Sequence, residues 1–197
     1  MKRVTLRGGV EIADPLAAAL GFIEAYSAYD AHSSDPASFD EGDLRHANRG
    51  GARISAVEIA AILERRSRIE RALRSIEPNA SLAERSIPWA DLTRLFDAFG
   101  GIRGVGYSKM TKALYPKRPA LIPMLDSVVQ AYLGEDATKE LESFGERATA
   151  LVRGYKRDLD RNRSAVRHIQ QELASSGYRL TEVRILDILI WSGMKAT

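Results

Sequence analysis

The stretch "GIRGVGYSKMTKALYPKRPALIPMLDSVV", residues 101–129, decides how the rest of the chain is read. Gly104 and Gly106 bracket Val105, and a helix-like run with Lys109 and Lys112 follows. A Pro-punctuated loop then leads to Asp126, which stands before a small residue and two valines. The chain holds 26 acidic residues, yet none lies between Asp97 and Asp126, while Arg103, Lys109, Lys112, Lys117 and Arg118 all do. A tight turn that opens a helix exposes amide N–H groups, and these favour a phosphate together with the helix dipole. Lys109 and Lys112, one helical step apart, add mobile positive charge. The pattern is that of a surface for a nucleic-acid backbone. Asp126 falls at a predicted helix start, where an ordinary N-cap is the plain alternative.

Outward from this stretch the chain reads as helices. Pro88 to Phe99 is predicted helical with Leu92, Leu95, Phe96 and Phe99 inward, and a second helix runs from Val105 to about Leu114. Asp126 opens a short helix that stops near Gly134. Upstream, residues 3–12 alternate around Gly8-Gly9 as a small hairpin. Asp14-Pro15 is an N-cap with Pro at the first helical position, opening a helix through Asp30. A loop with five acids follows, then a short helix at 43–47. Ser55 and Glu58 make a capping box for one long helix with Ile59, Ile62, Leu63, Ile69 and Leu73 as its core stripe, and its arginines form a solvated face. Residues 137–177 read as two or three helices, and Thr181 starts a last one. The expected class is therefore all-α apart from a small N-terminal hairpin.

The bulk numbers set limits. A chain of 197 residues, 45% hydrophobic, suits a single compact unit over 1–197, or two lobes (about 14–85 and 86–197) flanking a cleft. With no cysteine there are no disulfides, thiolate zinc sites or cysteine-held iron–sulfur clusters, and the three scattered histidines argue against a metal site. No cofactor is expected. No apolar run has the length of a membrane span or a signal peptide, so a cytoplasmic monomer without a membrane partner is expected.

The order helix, F-x-x-I-x-G-V-G, helix, Pro-flanked loop, then apolar-apolar-Asp-small resembles the helix–hairpin–helix DNA glycosylase superfamily. The hairpin here is IRGVG, residues 102–106, against the family's L-P-G-V-G. The Asp context is MLDSVV, residues 124–129, against V-D-T-H-V or L-D-G-N-V, about twenty residues after the second glycine. The resemblance covers residues 89–129. It implies that Asp126 is the catalytic carboxylate, facing a sugar that turns positive as the N-glycosidic bond breaks. It also implies double-stranded DNA as partner, a nucleotide flipped from the duplex, and a hairpin at Arg103, Gly104, Val105, Gly106, Ser108, Lys109 and Lys112 that grips the backbone. Bifunctional members carry a Schiff-base lysine where this chain has Ser108, so the resemblance implies base removal without strand cleavage. Lys109, one position on and roughly 100° round the helix, is then a phosphate contact; in a register slipped by one residue it is the nucleophile. The glutamate- and glutamine-rich helix of the adenine-excising branch is missing. The implied substrates are damaged bases in repair, or the hypermodified cytosines of phage DNA in antiviral defence.

In related folds an N-terminal loop fills the hole left by the flipped base. Residues 43–55 hold Asn48 for base edges and Arg49 and Arg53 for phosphates; a plain helix–helix turn is an equal alternative. Tyr26, Tyr29, Asp30 and Trp89 are pocket candidates, against a core role for the aromatics and a solvent loop for the acids. Residues 153–167, rich in arginine, extend the DNA-facing surface or form a charged helix connection. The competing functions are a helix–hairpin–helix module that binds DNA without cutting a bond, and a protein-binding adaptor.

Overall fold

The structure is a computed structural model describing residues 3–30, 34–134 and 142–195, with only the backbone described at 25–28. It is mostly helical, with one two-stranded antiparallel sheet among the described residues. β1 (Val4–Thr5) pairs with β2 (Glu11–Ile12) in the register Val4 to Ile12 around a one-turn segment at Arg7–Gly9. α1 (Pro15–Asp30) starts where Asp14 accepts the Ala17 N–H at 3.0 Å. α2 (Glu41–Arg49) is opened by a capping box between Asp40 and Asp43. The acids after α1 thus cap and pair: Asp43 is buried against Lys117 at 2.7 Å, and Asp35 accepts the Ala37 N–H.

The long helix expected from Ser55 onward is two helices, α3 (Ala56–Leu63) and α4 (Arg66–Arg74). The chain bends at Arg65, whose guanidinium donates to the Gly100 carbonyl at 2.6 Å and so closes the end of α5 (Trp89–Asp97). The bend keeps Ile62, Ile69 and Leu73 buried together, while Ile59 and Leu63 are only partly covered. α5 buries Leu92, Leu95 and Phe96 as its period predicts, with Phe99 just beyond it. A turn then leads to α6 (Tyr107–Leu114), and α7 (Ser127–Tyr132) starts at Asp126.

α8 (Phe144–Ser175) is one helix of 32 residues, without the expected break near Asn162; residues 137–141, where the expected helices begin, lie outside the described residues. It continues through Asn162 because that side chain is occupied: it accepts the Thr5 N–H and donates to the Thr5 carbonyl, both at 3.0 Å, docking β1 on the helix. α9 (Glu182–Lys195) is the most enclosed helix, with Thr181 accepting the Arg184 N–H as its cap. α5 and α9 pack on α8, while α1 and α7 pack on α9, and one contiguous apolar core joins them. No helix among the described residues is long and apolar enough to cross a membrane.

Two basic residues of the opening stretch belong to this core. Arg118 is 1% exposed and donates to the Leu73 and Ile76 carbonyls at 2.6 Å each, satisfying the C-terminal end of α4. Lys117 is tied to Asp43 and to the Asp35 carbonyl. Neither belongs to a basic surface, so the reading of five outward-facing cations is corrected to Arg103, Lys109 and Lys112.

Candidate functional site

Asp126 is the N-cap of α7. Its Oδ1 accepts the Val128 and Val129 N–H groups at 3.0 Å each. That is the ordinary capping geometry. Its Oδ2, however, accepts the indole N–H of Trp191 at 2.8 Å, from a helix 65 positions away. One oxygen therefore has two donors and the other one, which leaves Oδ2 an open acceptor direction. The carboxylate is half-buried in the wall of a cleft of about 420 Å³.

Five parts of the chain meet at this cleft, the first being the 124–129 segment with Met124, Asp126 and Val129. α1 supplies Phe22 and Tyr29, and the end of α2 with the turn after it supplies Arg49, Gly50, Gly51 and Arg53. Lys112 enters from α6, and Arg184, Asp187 and Trp191 come from α9. The turn after α2 is held by Asn48, whose amide donates to the Ile54 carbonyl at 2.9 Å while its oxygen accepts the Ile54 N–H at 2.6 Å. Asn48 thus shapes the loop, and its side chain is committed there. Arg53 has φ 56°, a left-handed conformation that a residue with a Cβ adopts only when its surroundings require it. Gly50 lies against the Tyr29 ring, where a Cβ would overlap it. Tyr29 is fixed further by donating to the Lys112 carbonyl at 2.7 Å and by stacking on His46.

Arg49, Arg53 and Lys112 form a cationic rim, and none of the three makes an ion pair among the described residues. Burial lowers the pKa of the Lys112 ammonium, with Asp126 opposing that shift. Behind the rim, Arg184 holds Asp30 through Nε at 2.8 Å and Nη2 at 2.9 Å, and its guanidinium lies over the Phe22 ring. Asp30 is therefore a partner of the cleft floor.

Residues 101–106 are not among those that line this cleft. Gly104 has φ 82°, and a Cβ there would collide with Glu58 Oε1. Glu58 reaches across from α3 and holds Lys109 Nζ through both oxygens, at 2.6 and 2.7 Å. The hydrogen bond from Lys109 is the main cause that lowers the Glu58 carboxyl pKa. Space thus returns an acid to the segment that the sequence cleared of acids. Val105 is buried, Arg103 and Gly106 are exposed, and Ser108 is half-exposed. No side chain caps the first turn of α6.

Trp89 is not in the cleft: it stands at the start of α5 with the Arg153 guanidinium 4.3 Å from its ring centre, a correction to its place among the pocket candidates. The Tyr26 side chain lies outside the described residues. The arginine-rich segment 153–167 is the middle of α8, where Lys156 pairs with Asp160 and Arg167 with Glu182. It is no connection between helices.

Phe22, Arg184, Asp187 and Trp191 were not singled out from the sequence. A signal was present: "TEVRILDILIW" places Arg184 and Asp187 one helical step apart on an otherwise apolar helix, and charges in such a run need a reason. No group of three or more potential metal ligands lies together among the described residues. No curated protein and no solved structure matches the chain. A family described as "Family of unknown function (DUF6308)" matches residues 20–194, and the chain belongs to it.

Proposed function

We propose that the protein is a monofunctional DNA glycosylase of helix–hairpin–helix type that hydrolyses the N-glycosidic bond of a flipped, modified or damaged base. The observation that carries this reading is the Asp126 carboxylate, half-buried in the wall of a cleft under an unpaired cationic rim, with one acceptor direction of Oδ2 open. Clefts of a few hundred Å³ with few convergent polar groups suit small planar ligands. The rim suits phosphates on either side of an extruded nucleotide. As the C1′–N bond breaks, the base leaves with the electron pair and the sugar turns cationic. A carboxylate held rigid by three N–H donors stabilises that charge without reorganising. A water on Oδ2 adds its oxygen to C1′, one proton passes to Asp126, and the departing base takes up a proton in turn.

One observation favours a second reading. Lys112 shares the cleft, and burial biases its amine toward the neutral form. In that reading the Lys112 nitrogen bonds to C1′ as the base leaves, giving an imine that a water-attack enzyme never forms.

The test uses duplexes carrying deaminated, alkylated or phage-type modified bases, followed by alkali to cut at abasic sites. Base release by the wild type is expected, with a loss of about a hundredfold or more in Asp126→Asn. Equal cleavage by Asp126→Asn removes Asp126 from the chemistry, and DNA binding without base release leaves a binding module. Borohydride added to the same reaction traps a protein–DNA adduct only on the Lys112 route.

A further inference from the structure

The mouth of the Asp126 cleft gathers three cations at one point. Lys112 Nζ lies against Gly51, 3.8 Å from where a Cβ would stand on that residue. Arg49 and Arg53 flank this glycine turn, and both are exposed. The Asn48 bonds to Ile54 fix the turn, so the three charges stay together. Burial lowers the Lys112 ammonium's pKa, Asp126 opposes this, and the Arg184 and Arg53 charges lower it further. Like charges held close in a partly buried place repel one another, and an anion among them removes that cost. Arg184 is matched by Asp30, and Asp187 is enclosed at the cleft floor. Against its three cations the mouth has one carboxylate, Asp126, which leaves an excess of two positive charges.

We infer that the cleft binds a free nucleoside monophosphate, its terminal phosphate seated among Arg49, Arg53 and Lys112 and its base beside Phe22 and Trp191. That the organic part is a nucleoside rests on the function proposed above; the seat for the phosphate does not. A terminal phosphate carries about −1.5 to −2 charge at neutral pH, whereas each phosphodiester inside a strand carries one. The excess at the mouth matches the terminal group. Two guanidinium forks and one ammonium also suit its three free oxygens. Further in, the Phe22 and Trp191 rings stand edge to face with centres 5.9 Å apart, and Val129 lines the same cleft, an apolar wall for a planar base. The cleft, about 420 Å³, has the size for one such small ligand. The other cations of the acid-free stretch do not extend this site: Lys117 and Arg118 are buried, Lys109 is held by Glu58, and Arg103 is not among the lining residues.

The test follows the two indole N–H resonances of the ¹⁵N-labelled protein during titration. The ligands are the 5′- and 3′-monophosphates of the four deoxynucleosides, the deoxynucleosides themselves, and the methyl ester of the monophosphate that binds best. Trp191 lines the cleft, and Trp89 under Arg153 serves as the internal control. The expected result is a saturable shift of Trp191 alone with at least one monophosphate, with the matching deoxynucleoside and the singly charged methyl ester each binding about tenfold or more weakly. Arg53→Gln and Lys112→Gln each weaken the monophosphate by about tenfold and leave the deoxynucleoside unchanged. No movement of Trp191 with any monophosphate, equal binding of monophosphate and deoxynucleoside, equal binding of monophosphate and methyl ester, or a preference that survives both variants overturns the inference. Monophosphate binding by a chain that releases no base from any duplex leaves this inference standing and removes the glycosylase reading. Base release from duplexes without monophosphate binding does the reverse.

Discussion

The Glu58 carboxylate governs the charge at the turn around Gly104. It is the N3 residue of the α3 capping box, accepting the Ser55 N–H at 2.8 Å, and it holds Lys109 as well. It fills the space that the missing Cβ of Gly104 leaves open. A phosphate approaching the uncapped start of α6 therefore meets a carboxylate and a neutralised lysine. Gln at this position keeps the capping box, since Gln serves at N3 as Glu does, but removes the charge and frees Lys109. If the protein binds DNA as proposed, Glu58→Gln raises that affinity several-fold, with the slope of log affinity against log salt steeper by about one. Salt-dependent shift assays on wild type and variant measure both. Unchanged affinity and slope, or no DNA binding by either protein, takes Lys109 out of the proposed contact and leaves the pair only tying α3 to the turn.

At the scale of elements, α8 carries the N-terminal hairpin through one side chain. Asn162 makes two hydrogen bonds to Thr5 and a third to the Asp158 carbonyl. Asn162→Ala strands the Thr5 groups where they are partly buried, at a cost of about 1–3 kcal/mol. For a domain of this size the melting temperature falls by about 2–12 °C, which calorimetry reads directly. No change assigns the docking to Val4, Leu6 and Ile12 alone. The same residue explains why α8 was expected as separate helices: "DRNRS" is a polar run that ends helices when solvent surrounds it, and here a strand does. Boundaries with local causes were legible, such as Asp14-Pro15, the Ser55–Glu58 box and the Asp126 cap. The bend at Arg65 was not, because its cause is the Gly100 carbonyl just beyond α5, 35 positions away. The cleft divides in the same way. Asp126, Lys112, Tyr29, Arg49 and Arg53 announce themselves by spacing or by a glycine turn. Trp191 and Asp187 join them only when α9 folds back, and Lys117 and Arg118 were misread because burial of a cation leaves no local mark.

For the whole molecule, the floor of the cleft has a cost that pH exposes. Asp187 sits fully enclosed, and burial raises its carboxyl to about 8, only partly opposed by Arg184, the Met124 N–H and Tyr155. The unfolded chain ionises this group near the ordinary value of about 3.9. Between those two values the unfolded chain has released the proton that the folded chain keeps, so rising pH favours unfolding. The loss starts near pH 4, grows by up to about 1.4 kcal/mol per pH unit, and is complete above about pH 8, where the folded state must hold the bare carboxylate. Asp187→Asn removes this titration while keeping an acceptor for the Met124 N–H. Calorimetry from pH 5 to 9.5 should therefore find the two proteins diverging as pH rises, with the variant the more stable at pH 9 and the gap level beyond it. Glu58, whose carboxyl is lowered by Lys109, acts with the opposite sign and only toward acid pH, so it does not mask the trend. A gap that stays constant across the range means that Asp187 ionises in the fold as a surface acid does, and the cleft floor is then an anion. A gap that grows with pH identifies a destabilising acid kept inside the molecule, and selection retains such a group where a ligand uses it.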